Sequence, residues 1–162
     1  MIRVGLGYDS HRLVKGRPLV LGGVCIPWGK GLDGHSDADV LVHAVIDALL
    51  GAAGRENIGE RFPDTDPAYL GANSMLRLGE VWGEIFQAGY RLGNLDCVIL
   101  AEEPRLAPYL PEMRRRLSEV LGTPESTVSV KPKTGEAVGA VGRGETMAAL
   151  AVVLLQAPAG TC

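Results

Sequence analysis

The chain has 162 residues, a length that suits one compact domain. It is 46% hydrophobic but only 5% aromatic, so its core is packed with aliphatic side chains, and its 22 glycines imply many tight turns. A net charge of −3 argues against a sequence-independent nucleic-acid binder, which needs a basic surface.

In chain order, Ile2 to Gly7 reads as a strand, followed by the polar stretch "GYDSHR". Side chains on a strand repeat every two residues, so Asp9 and His11 share one face near the strand end. Arg17 to Trp28 reads as a second strand broken at Gly22-Gly23. Ser36 is a candidate N-cap with Asp37 and Asp39 in the first turn of a helix. Val40, Leu41, Ala44, Val45, Ala48 and Leu49 then form an apolar stripe at helical spacing. Arg61 to Ser74 is a turn-rich loop, and Ala72 to Ala88 a second helix ending near Gly89. Asn94 to Pro104 has a strand core with a polar exit. Pro108 to Leu121 is a third helix stopped by Gly122, with Arg114 to Arg116 on its solvated face. Val128 to Pro132 is a short strand, and Lys133 to Glu145 is glycine-rich. Thr146 to Gln156 is apolar throughout, and its pattern fits a helix or a buried strand. The order implies an α+β fold with helices on one face of a mixed sheet. A single domain over 1–157 and a short tail at 158–162 are expected.

Cys25, Cys97 and Cys162 are odd in number and lack C-x-x-C spacing, which argues against a disulfide framework or zinc ribbon and for a reducing cytosol. The N-terminal apolar run is too short for a signal peptide. The longest apolar run, Met147 to Leu155, is too short to span a bilayer. A soluble cytoplasmic protein with no membrane or nucleic-acid partner is expected.

All three histidines, His11, His35 and His43, lie in the first quarter of the chain. If the first helix packs beside the first strand, His43 reaches the face that carries Asp9 and His11. Two imidazoles and one carboxylate make a three-ligand zinc site with an open fourth position, the catalytic kind. A buried polar cluster without metal fits the spacing equally well. Taken alone, "FPDTDP" is ordinary turn chemistry, and "GAVGRGE" is neither a P-loop nor a dinucleotide fingerprint.

Together, "GYDSHR", "LGGVCIPWGKGLDGHSDADVLVHAVIDALLGAAG", "IGERFPDTDP", "YRLGNLDCVILAEEPRLAPYLPEM" and "GRGE" stand in one order from about Ile2 to Leu155. In these motifs the chain resembles the 2-C-methyl-D-erythritol 2,4-cyclodiphosphate synthases of the non-mevalonate isoprenoid pathway. The resemblance implies a substrate, 4-diphosphocytidyl-2-C-methyl-D-erythritol 2-phosphate, whose 2-phosphate attacks the β-phosphorus to give a cyclic diphosphate and CMP. It also implies a homotrimer with active sites between subunits, one zinc per chain, and a second divalent ion, magnesium or manganese.

By match to the family's motifs, Asp9, His11 and His43 are expected to bind zinc, and Glu136 the second ion. His35 and Ser36 are expected at phosphate, with His35 and Thr134 as the catalytic pair. Asn57, Ile58 and Gly59, with Phe62, Pro63, Asp64, Thr65 and Asp66, are implied around the methylerythritol unit. Ala101, Glu102, Glu103, Pro104, Arg105, Leu106 and Ala107 are implied in the cytidine pocket, and Lys133, Thr134, Gly135, Glu136 and Arg143 complete the substrate contacts. Arg143 and Glu145 are implied near the threefold axis. The chain departs from the family pattern at Asn57 (usually aspartate), Arg105 (usually lysine), Lys133 and Gly135 (usually threonines) and Ala140 (often an aromatic).

Overall fold

A computed structural model describes residues 1–63, 65, 67 and 70–158. The first strand, β1 (Ile2–Lys15), does not stop at Gly7 but runs through the polar stretch. The reason is its partners. It pairs antiparallel with β7 (Thr146–Gln156) from Ile2 opposite Gln156 to Arg12 opposite Thr146, and then with β4 (Lys30–Leu32) from Leu13 to Lys15. Backbone ladders do not require apolar side chains, so Asp9 and His11 sit inside the strand and not at its end.

The 146–156 stretch is therefore a strand, and it lies at the centre of the sheet. The five-stranded order is β4-β1-β7-β5-β6, with β5 (Arg91–Leu100) antiparallel to β7 and parallel to β6 (Val128–Lys133). The mixed sheet is as expected; β4 was not anticipated. The stretch expected as one broken strand forms two, β2 (Leu19–Leu21) and β3 (Val24–Ile26), in a separate hairpin. Gly22 and Gly23 take φ of +59° and +74°, positive at both central positions as a type I′ turn requires.

The main helix, α1 (Val40–Ala53), starts later than Ser36 suggested. Ala38 is left-handed (φ +55°), so the chain from Ser36 is still loop. Asp39 is the N-cap: its Oδ1 accepts from the Val42 N–H at 3.1 Å and the Gly22 N–H at 2.9 Å, and its Oδ2 from the Gly23 N–H at 2.7 Å. One buried carboxylate thus starts the helix and closes the hairpin turn. Burial pushes its pKa up to about 6 against the pull of those three N–H groups, leaving it largely ionised at neutral pH.

Two glycines set how closely α1 lies on the sheet. A Cβ on Gly5 would stand 1.9 Å from the Ala48 carbonyl oxygen, and one on Gly7 would stand 1.9 Å from that of Ala44. The small residues of α1 therefore rest directly on the β1 backbone. That contact brings the next inward residues of β1, Asp9 and His11, beside the first turn of α1.

Helix α2 (Ile58–Arg61) is short, and α3 (Ser74–Gln87) begins at Ser74, with Asn73 as its cap. The expected loop over 61–74 thus loses Arg61 to α2 and Ser74 to α3. A 3-10 turn at Ala107–Tyr109 leads into α4 (Leu110–Leu121), which ends at left-handed Gly122. On its exposed face Arg115 and Arg116 pair with Glu112, and Arg115 also with Glu119. A last short helix, α5 (Gly139–Gly142), lies in the glycine-rich stretch. Burial pushes the Cys97 thiol up to about 12, so it serves as packing. Beyond Pro158, the tail expected at 158–162 lies outside the described residues.

The inward face of the sheet is buried, with Met147, Ala149, Ala151, Val153 and Leu155 all in the core. Its outward face is apolar yet open: Ile2, Val4, Leu6 and Tyr8 are 66, 64, 66 and 57% exposed, with Val152 beside them. Among the described residues no helix is long and apolar enough to cross a membrane.

Candidate functional site

Asp9, His11 and His43 meet where β1 and α1 touch. Asp9 Oδ2 lies 2.8 Å from His11 Nε2 and 2.9 Å from His43 Nδ1, and the two imidazole nitrogens are 3.3 Å apart. Among the described residues, these three form the group of histidine, cysteine and carboxylate side chains able to hold a metal ion.

The hydrogen bonds around the triad decide what its inner atoms offer. His11 Nδ1 is 2.7 Å from the Asp33 carbonyl oxygen. A carbonyl only accepts, so Nδ1 carries the proton and Nε2 turns a lone pair inward. His43 Nε2 is 2.9 Å from Ser74 Oγ, whose own proton is donated to Asp37 Oδ1. The hydroxyl must therefore accept from His43 Nε2–H, and His43 Nδ1 also turns a lone pair inward. The third inner atom is a carboxylate oxygen. Burial works against ionisation of Asp9; when His11 and His43 are protonated on their inner nitrogens, their hydrogen bonds and charge outweigh it and hold the carboxyl well below the usual carboxylate range, whereas in the neutral tautomers above the inner face carries no N–H. Three lone pairs thus converge within hydrogen-bonding distance, a donor set that fits a cation.

The triad opens into a cavity of about 160 Å³ that His35, Ser36, Ile58, Gly59 and Phe62 also line. The structure thus brings those expected residues to the triad. Arg17 braces the His35 turn, donating from Nη1 to the Gly34 carbonyl at 2.7 Å and from Nη2 to that of Ser36 at 2.8 Å. Ser36 Oγ accepts from the Ala38 N–H at 3.1 Å and lies 3.2 Å from His43 Nε2. Asn57 is not among the lining residues; its side chain accepts from the Glu60 N–H and caps α2. Pro63 and Thr65 are exposed, and Asp64 and Asp66 lie outside the described residues.

Local spacing gave no hint of two further lining residues, Asp47 and Arg77. Asp47 Oδ1 accepts from the Ile58 N–H at 2.7 Å, tying α2 to α1, and burial raises its pKa. Arg77 is nearly buried, with its guanidinium carbon 5.0 Å from the centre of the Phe62 ring. Their partners are remote in sequence, so only the fold reveals them.

A second cavity, about 450 Å³, is lined by Ala101 to Ala107 with Pro132, Lys133 and Thr134. Within one chain the two cavities share no lining residue. Glu102 has a further task here: its Oε2 accepts from the Gly135 N–H at 2.9 Å and its Oε1 from the Ala137 N–H at 3.2 Å. The loop so held keeps Glu136 and Ala137 at φ +50° and +60°, and Thr134 Oγ1 donates to Glu136 Oε1. A side chain at Gly135 would collide with Gly142, its Cβ standing 2.6 Å from that residue's nitrogen, which accounts for glycine at this position. Arg143 is exposed and pairs with Glu145 at 2.7 Å. That hydrogen bond lowers the Glu145 pKa and raises that of Arg143.

The YgbB family model matches residues 2–156. The 2-C-methyl-D-erythritol 2,4-cyclodiphosphate synthase of Geobacillus kaustophilus is 56% identical over 156 residues, spanning 96% of this chain and 99% of its own. The enzyme of the same name from Moorella thermoacetica is 57% identical over 154 residues, spanning 95% and 94%. A solved structure of IspF from Plasmodium falciparum in complex with CDP is 33% identical, covers 97% of each chain and superposes with a TM-score of 0.85.

Proposed function

The chain belongs to the YgbB family, and on that premise we propose that it is a 2-C-methyl-D-erythritol 2,4-cyclodiphosphate synthase acting in cytoplasmic isoprenoid synthesis. The observation that carries the site assignment is the convergence of three lone pairs, from Asp9, His11 and His43, on the cavity that His35 and Ser36 line.

In the reaction, an oxygen of the substrate's 2-phosphate forms a bond to the β-phosphorus. The bond from that phosphorus to the bridging oxygen breaks, and CMP leaves with the bridging oxygen and its electron pair. The nucleophile is already an anion, so the obstacle is bringing two anions together and in line. Asp9, His11 and His43 would hold zinc, since two imidazoles and a carboxylate with an open fourth position suit it. Bound there, zinc supplies positive charge to the diphosphate. Ser36 offers a hydroxyl and His35 a ring N–H to phosphate oxygens. Ile58, Gly59 and Phe62 shape the wall for the methylerythritol unit, with Pro63, Asp64, Thr65 and Asp66 following in the same segment. Thr134 steadies the transferring phosphoryl group, and Glu136 would hold a magnesium or manganese ion. Residues Ala101 to Ala107 receive the cytidine through backbone groups, Arg105 adding a cation; the CDP-bound relative supports that pocket chemistry.

Two observations support a homotrimer with shared sites. The outward face of β1 exposes Ile2, Val4, Leu6 and Tyr8, an apolar strip of the kind that subunits cover. The metal cavity is also smaller than the roughly 300–1,000 Å³ of small-molecule sites, and the cytidine cavity is separate, which fits a neighbouring chain bringing the two together. Each chain then acts as one catalytic domain over 1–157.

Subunit mixing tests this arrangement. His43→Ala and Thr134→Ala trimers should each be inactive in CMP release. Refolded together in equal amounts, they should recover about a quarter of wild-type activity, because about three-quarters of the trimers are mixed and every mixed trimer has one of its three sites with both halves intact. No recovery, or an active monomer on sedimentation, would contradict the shared site.

A further inference from the structure

The triad's ring tautomers are set from outside it, and for His43 the setting comes from side chains. His43 Nε2 lies 2.9 Å from Ser74 Oγ. Ser74 is fully buried, is the first residue of α3, and donates its hydroxyl proton to Asp37 Oδ1. Asp37 Oδ2 accepts from the Ser74 backbone N–H at 2.9 Å, so the serine is fixed at two points. Asp37 Oδ1 also accepts weakly from the Asp39 N–H at 3.3 Å. A carboxylate has no proton to return, so the polarity of the chain runs one way: His43 Nε2–H to Ser74 Oγ–H to Asp37. Ser36 Oγ, farther off at 3.2 Å, has two lone pairs and can accept from His43 Nε2–H as well as from the Ala38 N–H, so it is consistent with that order, which the nearer Ser74 sets.

We propose that Ser74 and Asp37 are positioning residues that lock His43 in its Nε2–H tautomer, keeping the Nδ1 lone pair aimed at Asp9 and His11. The inference rests on reading Asp9, His11 and His43 as a metal site. Its physical content is that the opposite tautomer replaces the third inner lone pair with an N–H facing the two that remain, Asp9 Oδ2 and His11 Nε2, where a metal ion cannot bind without displacing the proton. Second-layer partners of metal-bound histidines act in this way generally, and losing one typically lowers metal affinity by about 10–100-fold.

The test reads the tautomer directly. In metal-free full-length protein, at a pH where the ring is neutral, nitrogen-15 NMR of His43 should show protonated Nε2 and bare Nδ1. Asp37→Asn preserves shape but places an amide donor in the relay, and Ser74→Ala removes it. Both variants should raise the Nδ1–H fraction and weaken zinc binding at least tenfold in chelator competition. A purely structural role would lower the melting temperature without moving the tautomer. A wild-type His43 protonated at Nδ1 overturns the proposal even if neither variant folds. So does wild-type zinc affinity in both variants. Failure of the wild-type protein to take up zinc would instead count against the metal reading, while the ring spectrum still decides the tautomer.

Discussion

His43→Ala should lose its metal and its activity while keeping its fold and assembly. The imidazole supplies one of three converging donors. The two that remain, Asp9 and His11 at 2.8 Å, can still share a proton but make a poor metal site. The structural cost should be small, because His43 is only partly buried and lies at the cavity wall, outside the apolar core. Zinc content should fall from about one per chain to near zero, and kcat/KM by on the order of 10³-fold, about 4 kcal/mol. Elemental analysis, CMP release and sedimentation on one preparation separate these effects. Full activity in the metal-free variant would sink the assignment.

Gly7→Ala should be, with its equivalent at Gly5, among the most damaging single methyl additions in the chain. Its Cβ would stand 1.9 Å from the Ala44 carbonyl oxygen, 2.8 Å from the Ala48 nitrogen and 2.9 Å from the Ala44 carbonyl carbon. All are backbone atoms, so no rotamer change relieves the contact. Relief requires α1 to lift from β1, and that movement carries His43 away from Asp9. Overpacking against flexible side chains costs about 1–3 kcal/mol, so a clash against backbone should exceed about 3 kcal/mol. For a chain of this size that is a fall in melting temperature of roughly 6–12 °C. Zinc affinity should fall as well, even where the variant stays folded. A melting temperature within a degree of wild type would contradict the close packing of α1 on β1.

The same close approach explains what the sequence disclosed and what it withheld. The helix stripe of Val40 to Leu49 was legible because all six stripe residues are buried. The pairing of Asp9 with His11 was legible from strand alternation alone. The full length of β1 was not: inward positions 9 and 11 carry polar Asp9 and His11 in place of core residues, so the apolar signal stops at Gly7 although the ladder continues to Lys15. The helix start was misplaced because Asp39 answers to Gly22 and Gly23, a contact set by tertiary structure. The central strand β7 looked ambiguous because its outward face is apolar too. Asp37, Asp47, Ser74 and Arg77 left no local signature, since their roles depend on partners brought from elsewhere in the chain. The family resemblance singled out Ala101 to Ala107 and Thr134, and the fold lines one cavity with both.

The central claim is that the chain cyclises its substrate and does not hydrolyse it. Phosphorus-31 NMR of the purified, zinc-loaded protein with 4-diphosphocytidyl-2-C-methyl-D-erythritol 2-phosphate and magnesium reads this directly. The expected spectrum shows the cyclic diphosphate and CMP growing in equal amounts as the substrate resonances disappear, with no inorganic phosphate. Inorganic phosphate accumulating alongside linear products, with no cyclic diphosphate at any time, would identify a hydrolase on the same scaffold and contradict the account.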